Sequence, residues 1–222
     1  MTSSLVIGIM ALQGDVQEHM KAMNSTIEEM LRHNENNLKS IHTKQIKLPD
    51  DLLGIHGIIL PGGESTAMAI IGEKWGLFPA LRKWVSEKRP VWGTCAGMIL
   101  LSNYAVNQCQ GGQALIGGLD VKVCRNFFGS QIQSSEYELN ITCSNFENPS
   151  EKFKAIFIRA PAILKVGKNV NILASIEATP HESVVKDVLD ILNQEDANLS
   201  GKFSNLSLTE QKMNVVVAVR QG

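Results

Sequence analysis

The chain has almost no excess of charge of either sign, and this lack narrows the partners to expect. Its 222 residues include 21 Lys and Arg against 22 Asp and Glu, a formal net charge of −1 at pH 7. Binding of nucleic acid relies on a surplus of basic side chains, so we expect no nucleic-acid partner. A hydrophobic content of 44% and a charged content of 19% are typical of a soluble globular protein.

Cysteine is scarce as well. The four cysteines are Cys95, Cys109, Cys124 and Cys143, and no two of them form a Cys-x-x-Cys pair. Structural zinc sites and disulfide-rich scaffolds need closely spaced or numerous cysteines. The sequence therefore predicts no metal site, and a reduced, cytoplasmic protein is the simplest interpretation.

Near the N terminus the sequence also lacks a hydrophobic run of membrane-spanning length. The apolar run Leu5–Leu12 is far shorter than the roughly 20 residues that cross a bilayer as a helix. It also follows no basic leader, so we expect a first β-strand rather than a signal peptide and no association with a membrane.

Apolar runs alternate with amphipathic stretches along the first half of the chain, and this order is typical of an α/β fold. The second half is richer in strand-like runs. The predicted strands are Leu5–Leu12, Gly57–Leu60, Val91–Thr94, Asp120–Cys124, Tyr137–Thr142, Ala155–Ile158, Val170–Ile176 and Val215–Val219, and the predicted helices are Asp15–Arg32, Glu64–Ile71, Leu77–Glu87, Ala96–Ala105 and Val184–Leu192. Nearly continuous apolar strands predict a mostly parallel sheet with helices on both faces. We expect one domain over residues 1–222, with polar insertions at about 33–40 and 181–212.

Cys95 stands in the most informative motif of the chain. An apolar strand signal leads into a Gly-x-Cys-x-Gly turn over 93–97, and a helix signal follows. This is the layout of a nucleophile elbow, with a thiol in the place of the usual serine. The helix N-terminus predicts a stabilised thiolate, and the N–H of Ala96 is placed to bind an oxyanion. The alternative is an inert cysteine in the core.

Four further motifs stand where a predicted strand ends. They are residues 11–14 (ALQG), 61–66 (PGGEST), 125–129 (RNFFG) and 157–161 (FIRAP). The carboxyl ends of strands border the crevice in which open α/β sheets bind ligands. Arg125 and Arg159 suit a carboxylate there, although each could also be a structural arginine. The Gly-Gly pair lets backbone N–H groups approach a substrate, although a plain tight turn with Ser65 or Thr66 as helix cap remains open.

Taken in series, these motifs resemble the class I (triad) glutamine amidotransferases, and within them the glutaminase subunits of pyridoxal 5′-phosphate synthase. The resemblance covers most of the chain outside the two insertions. It implies a flavodoxin-like three-layer fold, no cofactor, and hydrolysis of L-glutamine to glutamate and ammonia. It also implies that the ammonia passes to a synthase subunit that makes pyridoxal 5′-phosphate, the active form of vitamin B6, within a large hetero-oligomer.

The same resemblance implies roles for individual residues. Cys95 matches the nucleophile that forms a glutamyl thioester, and Gly63 and Ala96 match the N–H donors to the oxyanion. Gln13 matches a residue at the contact with the synthase. The residues matching the glutamine site are Gly62, Gly63, Glu64, Ser65, Arg125, Ile158 and Arg159.

The general base of the triad is missing from the place where the family has it. A cysteine nucleophile needs a histidine oriented by a third group, and the family supplies both in a Phe-His-Pro-Glu segment after a late strand. Here the apolar run Val215–Val219 matches that strand, and no His or Glu follows it before Gly222. We therefore expect that the C-terminal end of the family domain is absent from this chain.

The remaining histidines offer weak substitutes. His181 stands beside Glu182, but in a polar insertion ahead of the late strand rather than after it. His19 lies on the first predicted helix, and His33, His42 and His56 have no motif context. Three functions stay open: an ammonia-producing glutaminase, a non-catalytic binding partner of the synthase, and the glutaminase of another amidotransferase, against which the motifs at 125–129 and 157–161 argue.

Overall fold

The computed structural model describes residues 4–32, 40–106, 112–129, 135–141, 152–193 and 212–222. Its strands are β1 (Ser4–Met10), β2 (Ser40–Ile46), β3 (Gly57–Leu60), β4 (Val91–Gly93), β5 (Ser102–Val106), β6 (Leu119–Cys124), β7 (Ser135–Asn140), β8 (Lys152–Phe157), β9 (Ala162–Val166), β10 (Val170–Ala178) and β11 (Met213–Gln221). Its α-helices are α1 (Val16–Arg32), α2 (Ser65–Lys74), α3 (Leu77–Ser86), α4 (Ala96–Leu101) and α5 (Val185–Asn193), with short 3₁₀ turns at Pro49–Leu52 and Glu182–Val184.

By its contacts the described chain divides into two compact units. The first comprises residues up to Leu101 together with Gly112–Gly118, and the second comprises Ser102 onwards apart from that segment. The single-domain expectation stays a prediction. Of the two expected insertions, 33–39 and 194–211 lie outside the described residues, whereas Ser40 begins β2 and α5 forms the helical piece expected near Val184–Leu192.

The first unit contains a parallel sheet of four strands in the order β2-β1-β3-β4. β1 pairs with β2 from Ser4 opposite Ser40 to Met10 opposite Ile46, and with β3 from Ile7 to Ile9. This is the order in which flavodoxin-like sheets begin, and it confirms the predicted parallel α/β fold. Because the chain moves in opposite directions across the sheet after β1 and after β3, right-handed crossovers place α1 on one face and α2 with α3 on the other.

Packing explains why the pattern-based predictions succeed here. All four residues of β3 are buried, as a run of apolar side chains without alternation requires. Helix α3 buries Leu77, Phe78, Leu81 and Trp84 at helical spacing. The crossing of α2 and α3 is close, because a Cβ on Gly72 would lie 2.1 Å from the Phe78 ring.

The helix predicted over Ala96–Ala105 is shorter in the structure. Helix α4 ends at Leu101, and β5 follows without a connecting loop. β5 pairs in parallel with β6, from Ser102 opposite Leu119 to Val106 opposite Cys124. The hydrogen bonds of this pairing override the helical pattern, which is a local signal only.

The second unit is built mainly from antiparallel strands. Its sheet has the order β10-β11-β9-β6-β5, and only the β5–β6 pair is parallel. β7 and β8 form a separate two-stranded hairpin. One apolar cluster, which includes Phe127, Phe128, Phe157 and Val188, fills the core of this unit. Among the described residues no helix is both long and apolar enough to cross a bilayer.

Candidate active site

The loops after β1 and β3 meet at the carboxyl ends of their strands, where the strand order reverses direction along the chain. The Asp15 N–H donates to the Gly62 carbonyl over 3.0 Å. Gly14 has φ +96°, and a Cβ on it would lie 1.9 Å from the Gly62 oxygen. Only glycine at position 14 allows two backbones to approach this closely.

Gln13 joins the same two loops through its side chain. Its Oε1 accepts a hydrogen bond from the Glu64 N–H over 2.7 Å. It also lies against Gly63, whose φ is +148° and whose added Cβ would stand 2.6 Å from that oxygen. The conformation of the Gly62–Gly63 turn is therefore coupled to the position of Gln13.

Cys95 occupies the turn between β4 and α4, as the elbow motif predicts. Its φ is +48°, a left-handed conformation that is strained for a residue with a side chain. The turn is held by hydrogen bonds from the Thr94 N–H to the Leu60 carbonyl and from the Gly97 N–H to the Pro61 carbonyl. Cys95 is exposed, which removes the alternative of an inert core cysteine.

The sequence predicts a stabilised thiolate, and hence a lowered pKa, at Cys95, and this prediction is wrong. The pKa of Cys95 is raised, first because the surrounding loops remove water from the sulfur even though the residue is exposed. The carboxylates of Asp15 and Glu64 raise it further. The N–H groups of Ala96 and Gly63 hydrogen-bond the sulfur and lower the pKa, but they do not outweigh desolvation. The two expected oxyanion donors therefore both face the nucleophile.

The start of α2 follows the Gly62–Gly63 turn. Glu64 is its N-cap, and the Glu64 carboxylate accepts from the Thr66 N–H over 3.3 Å. The N-cap is thus Glu64 rather than Ser65 or Thr66, the residues named for this role from the sequence. The negative charge of Glu64 also suits the positive end of the helix dipole. Ser65 is almost fully buried in the first turn.

The other predicted substrate residues lie in the second unit, where the structure brings two motifs together. Arg125 follows β6 and is buried, and its N–H donates to the Val106 carbonyl. The Phe128 N–H reaches the Ala160 carbonyl, so the segments 125–129 and 157–161 are neighbours. Ile158 is half exposed in the second of these segments, and Arg159 follows it with φ +49°.

Two of the described histidines, His56 and His181, have local hydrogen-bond partners, and His33 lies outside the described residues. The Nδ1 of His181 accepts from the Ser183 N–H and so caps a 3₁₀ turn in the second unit. The Nδ1 of His56 accepts from the Val6 N–H. These contacts explain both residues as structural.

His19 is the exception, because it lies beside the elbow. Its Nδ1 donates to the Asp15 carbonyl over 2.9 Å, and its Nε2 accepts from the Thr94 hydroxyl over 3.2 Å. Its ring also meets the edge of Trp92. Sequence reasoning gave this residue no role in the elbow, since nothing in the spacing from position 19 to position 94 signals the contact.

An exposed cysteine at a strand-to-helix elbow, with two backbone N–H groups on its sulfur, is typical of α/β enzymes that use this turn for a nucleophile. The model of the SNO glutamine amidotransferase family matches residues 9–201. The chain belongs to this family of glutamine amidotransferases.

Individual proteins that are similar to this chain support the same family assignment. A probable pyridoxal 5′-phosphate synthase subunit PDX2 of Arabidopsis thaliana is 40% identical over 219 residues, which are 98% of this chain and 76% of that protein. A pyridoxal 5′-phosphate synthase subunit PdxT of Clavibacter michiganensis is 37% identical over 172 residues, which are 78% of this chain and 74% of that protein. A crystal structure of a glutamine amidotransferase matches with a TM-score of 0.60 and 32% identity, over 77% of this chain and 79% of that one.

Proposed function

We propose that this chain hydrolyses L-glutamine and supplies the ammonia to a synthase subunit that makes pyridoxal 5′-phosphate. The observation that carries the proposal is the exposed, strained Cys95 at its elbow in a chain of the glutamine amidotransferase family. The relatives named as pyridoxal 5′-phosphate synthase subunits supply the choice of acceptor, and with it a place in vitamin B6 biosynthesis.

The reaction follows from the chemistry of a thiol nucleophile. The Cys95 sulfur attacks the side-chain carboxamide carbon, and the carbonyl oxygen gains negative charge that the N–H groups of Gly63 and Ala96 stabilise. The C–N bond then breaks, the thiol proton leaves with the nitrogen as ammonia, and a glutamyl thioester remains. Water hydrolyses the thioester to glutamate and restores the thiol. None of these steps calls for a metal or cofactor.

In this proposal the substrate contacts the turn that lies beside the Cys95 thiol in the first unit. Gly62, Gly63, Glu64 and Ser65 line the side of the glutamine next to the thiol. Arg125, Ile158 and Arg159 belong to the second unit, and their role at the α-carboxylate stays a prediction from the family resemblance. It is a chemically suitable one, because a guanidinium pairs with a carboxylate through two N–H donors. Both arginine segments are shaped by unusual backbone, φ +53° at Asn126 and φ +49° at Arg159.

The partner contact includes Gln13, which holds the turn carrying Gly63. Docking of a synthase subunit against Gln13 would change the conformation of the Gly62–Gly63 turn. We expect the two subunits to form a large hetero-oligomer. The free thiols of Cys95 and Cys124 support a cytoplasmic location.

Substitution of the nucleophile tests the proposal. Cys95→Ser should abolish glutamate release from L-glutamine, measured with the synthase subunit present, because a neutral hydroxyl lacks the reactivity of the thiolate. Cys124→Ala is the matched control, since this thiol is buried and its pKa is raised to about 12 by desolvation and by Asp187. Cys124→Ala should keep the wild-type rate. Retention of even a tenth of the activity by Cys95→Ser would remove Cys95 from this role.

A second candidate function is a non-catalytic partner that binds the synthase without hydrolysing glutamine. The raised pKa of the Cys95 thiol, caused by desolvation first and then by the carboxylates of Asp15 and Glu64, favours it, because a raised pKa disfavours the thiolate that the reaction needs. In that case the wild-type chain would bind the synthase in sedimentation experiments and its Cys95 would react slowly with iodoacetamide, yet no glutamate would form.

A further inference from the structure

The segment Gly112–Gly118 belongs to the first unit, although Ser102–Gly111 of the second unit separates it in sequence from Leu101. The N–H groups of Ile116 and Gly117 donate to the Leu100 carbonyl over 2.8 and 3.0 Å. Leu100 belongs to α4, the helix that follows Cys95. The segment is therefore attached to the helix of the elbow.

Arg82 of α3 holds the same segment from another side. Its Nε and Nη2 donate to the Leu115 carbonyl over 3.0 and 2.9 Å. The same guanidinium pairs with Glu73 of α2. Hydrogen bonds to α4 and α3 thus fix the backbone of the segment, and Glu73 of α2 holds the arginine that makes one set of them.

Gln113 uses this position to reach the start of α2. Its Oε1 accepts hydrogen bonds from the hydroxyls of Ser65 and Thr66, each over 3.1 Å. A carbonyl oxygen only accepts, so both hydroxyls must donate to it. Since a hydroxyl has one hydrogen, the Ser65 oxygen retains only acceptor capacity, and the residue is 2% exposed.

We propose that Gln113 is a positioning residue for the glutamine site, which fixes Ser65 as a hydrogen-bond acceptor for an N–H donor of the substrate. This inference rests on the proposed function, because it takes Ser65 to line that site. Glutamine offers N–H donors in its ammonium and carboxamide groups, and a site committed to acceptance favours them over carboxylate oxygens. Gln113 acts through Ser65 and does not itself touch the substrate.

The test uses Gln113→Met, which keeps the length of the side chain and removes the acceptor. We expect the KM for glutamine to rise about tenfold with kcat within about twofold, because one buried hydrogen-bond partner is lost and the Cys95 elbow is untouched. The concentration of glutamine that half protects Cys95 from iodoacetamide, a readout that needs no turnover, should rise by a similar factor. Gln113→Glu keeps oxygen acceptors and should restore both values to within about threefold of wild type.

Two further variants test whether Gln113 acts on glutamine binding through Ser65 or only holds the start of α2 in place. In a Ser65→Ala background, Gln113→Met should add less than about twofold, because the residue through which it acts is gone. Thr66→Val removes the other hydroxyl partner and should leave the half-protecting concentration nearly unchanged.

Unchanged protection in Gln113→Met, failure of Gln113→Glu to restore it, or an equal effect of Thr66→Val would each overturn the role of Gln113. Absence of protection by glutamine in the wild-type chain would instead overturn the proposed function, and this inference with it.

Discussion

At the residue scale, backbone strain is concentrated near the predicted site residues. Among the described residues, four that are not glycine have positive φ: Lys88, Cys95, Asn126 and Arg159. Cys95 and Arg159 are predicted site residues, and Asn126 follows Arg125. Each such conformation costs on the order of 1–3 kcal/mol and persists only where the surroundings determine it. This distribution is independent of the motifs and points to the same positions.

The carboxylate of Asp15 should restrain the reactivity of Cys95. A Cβ built on Gly62 would lie 2.7 Å from the Asp15 Oδ2 and 3.5 Å from the Cys95 Cβ. The Asp15 carboxylate and Cys95 therefore lie on the same side of the Gly62 turn. Asp15 is one cause of the raised pKa of the Cys95 thiol. Asp15→Asn should therefore lower that pKa and speed alkylation of Cys95 by iodoacetamide a few-fold at pH 7.5, as followed by mass spectrometry of the peptide.

The size of this effect depends on pH in a defined way. Only the thiolate reacts with iodoacetamide. The alkylation rates of the wild type and of Asp15→Asn should therefore converge above the raised pKa, where Cys95 is ionised in both proteins. Asp187→Asn is the matched control, because Asp187 acts on Cys124 and should leave alkylation of Cys95 unchanged. Slower alkylation in Asp15→Asn, or a difference that grows at high pH, would contradict the electrostatic explanation.

At the scale of elements, the elbow depends on close contact between α4 and β3. A Cβ on Gly97 would lie 2.0 Å from the Leu60 carbonyl oxygen, which is backbone and cannot swing aside. Gly97→Ala should therefore destabilise the fold by about 2–3 kcal/mol despite the better helix propensity of alanine. The free energy of unfolding in urea, followed by circular dichroism, measures the change.

Gly54→Ala provides the comparison for this substitution. Gly54 has φ +76° with no atom within 4 Å of an added Cβ, so only backbone strain of about 1 kcal/mol is expected. If Gly97→Ala were as stable as the wild type, or less costly than Gly54→Ala, the α4–β3 contact would not be the constraint that we describe.

At the scale of the whole molecule, the proposed glutaminase should be slow alone and fast with its synthase. The N–H groups of Gly63 and Ala96 face the sulfur, and Gln13 holds the turn that carries Gly63. Both N–H groups are hydrogen-bonded to the sulfur in the free chain, and movement of the Gly63 N–H to the substrate oxygen on docking would add one oxyanion donor, worth about 2.7–4 kcal/mol of barrier. Addition of the synthase subunit should raise glutamate release about 100- to 1000-fold.

The measurement is the steady-state rate of glutamate formation at saturating glutamine, with and without synthase. Cys95→Ser with synthase gives the background rate. Equal turnover of the wild-type chain in both conditions would exclude activation by docking.

Much of the first unit was accessible from pattern alone. β3 lies where the apolar run Gly57–Leu60 predicts it, and Cys95 stands in the predicted elbow. The patterns failed where pairing partners decide the outcome. β2 and β9 were not predicted, and residues 102–106 form a strand beside β6 rather than the end of a helix. Such pairings depend on chain segments far away, which a local window does not contain.

The sequence by itself determined the local geometry of the candidate site, because glycines at fixed positions and apolar runs of fixed length specify turns and strands wherever they occur. Only the tertiary structure decided the electrostatics and the supporting contacts. The raised pKa of Cys95 comes from desolvation by the surrounding loops and from the carboxylates of Asp15 and Glu64, and the hydrogen bond from Ser65 to Gln113 joins positions 48 residues apart. Desolvation and hydrogen bonding between distant residues arise only once the chain is folded, so local sequence patterns do not predict them.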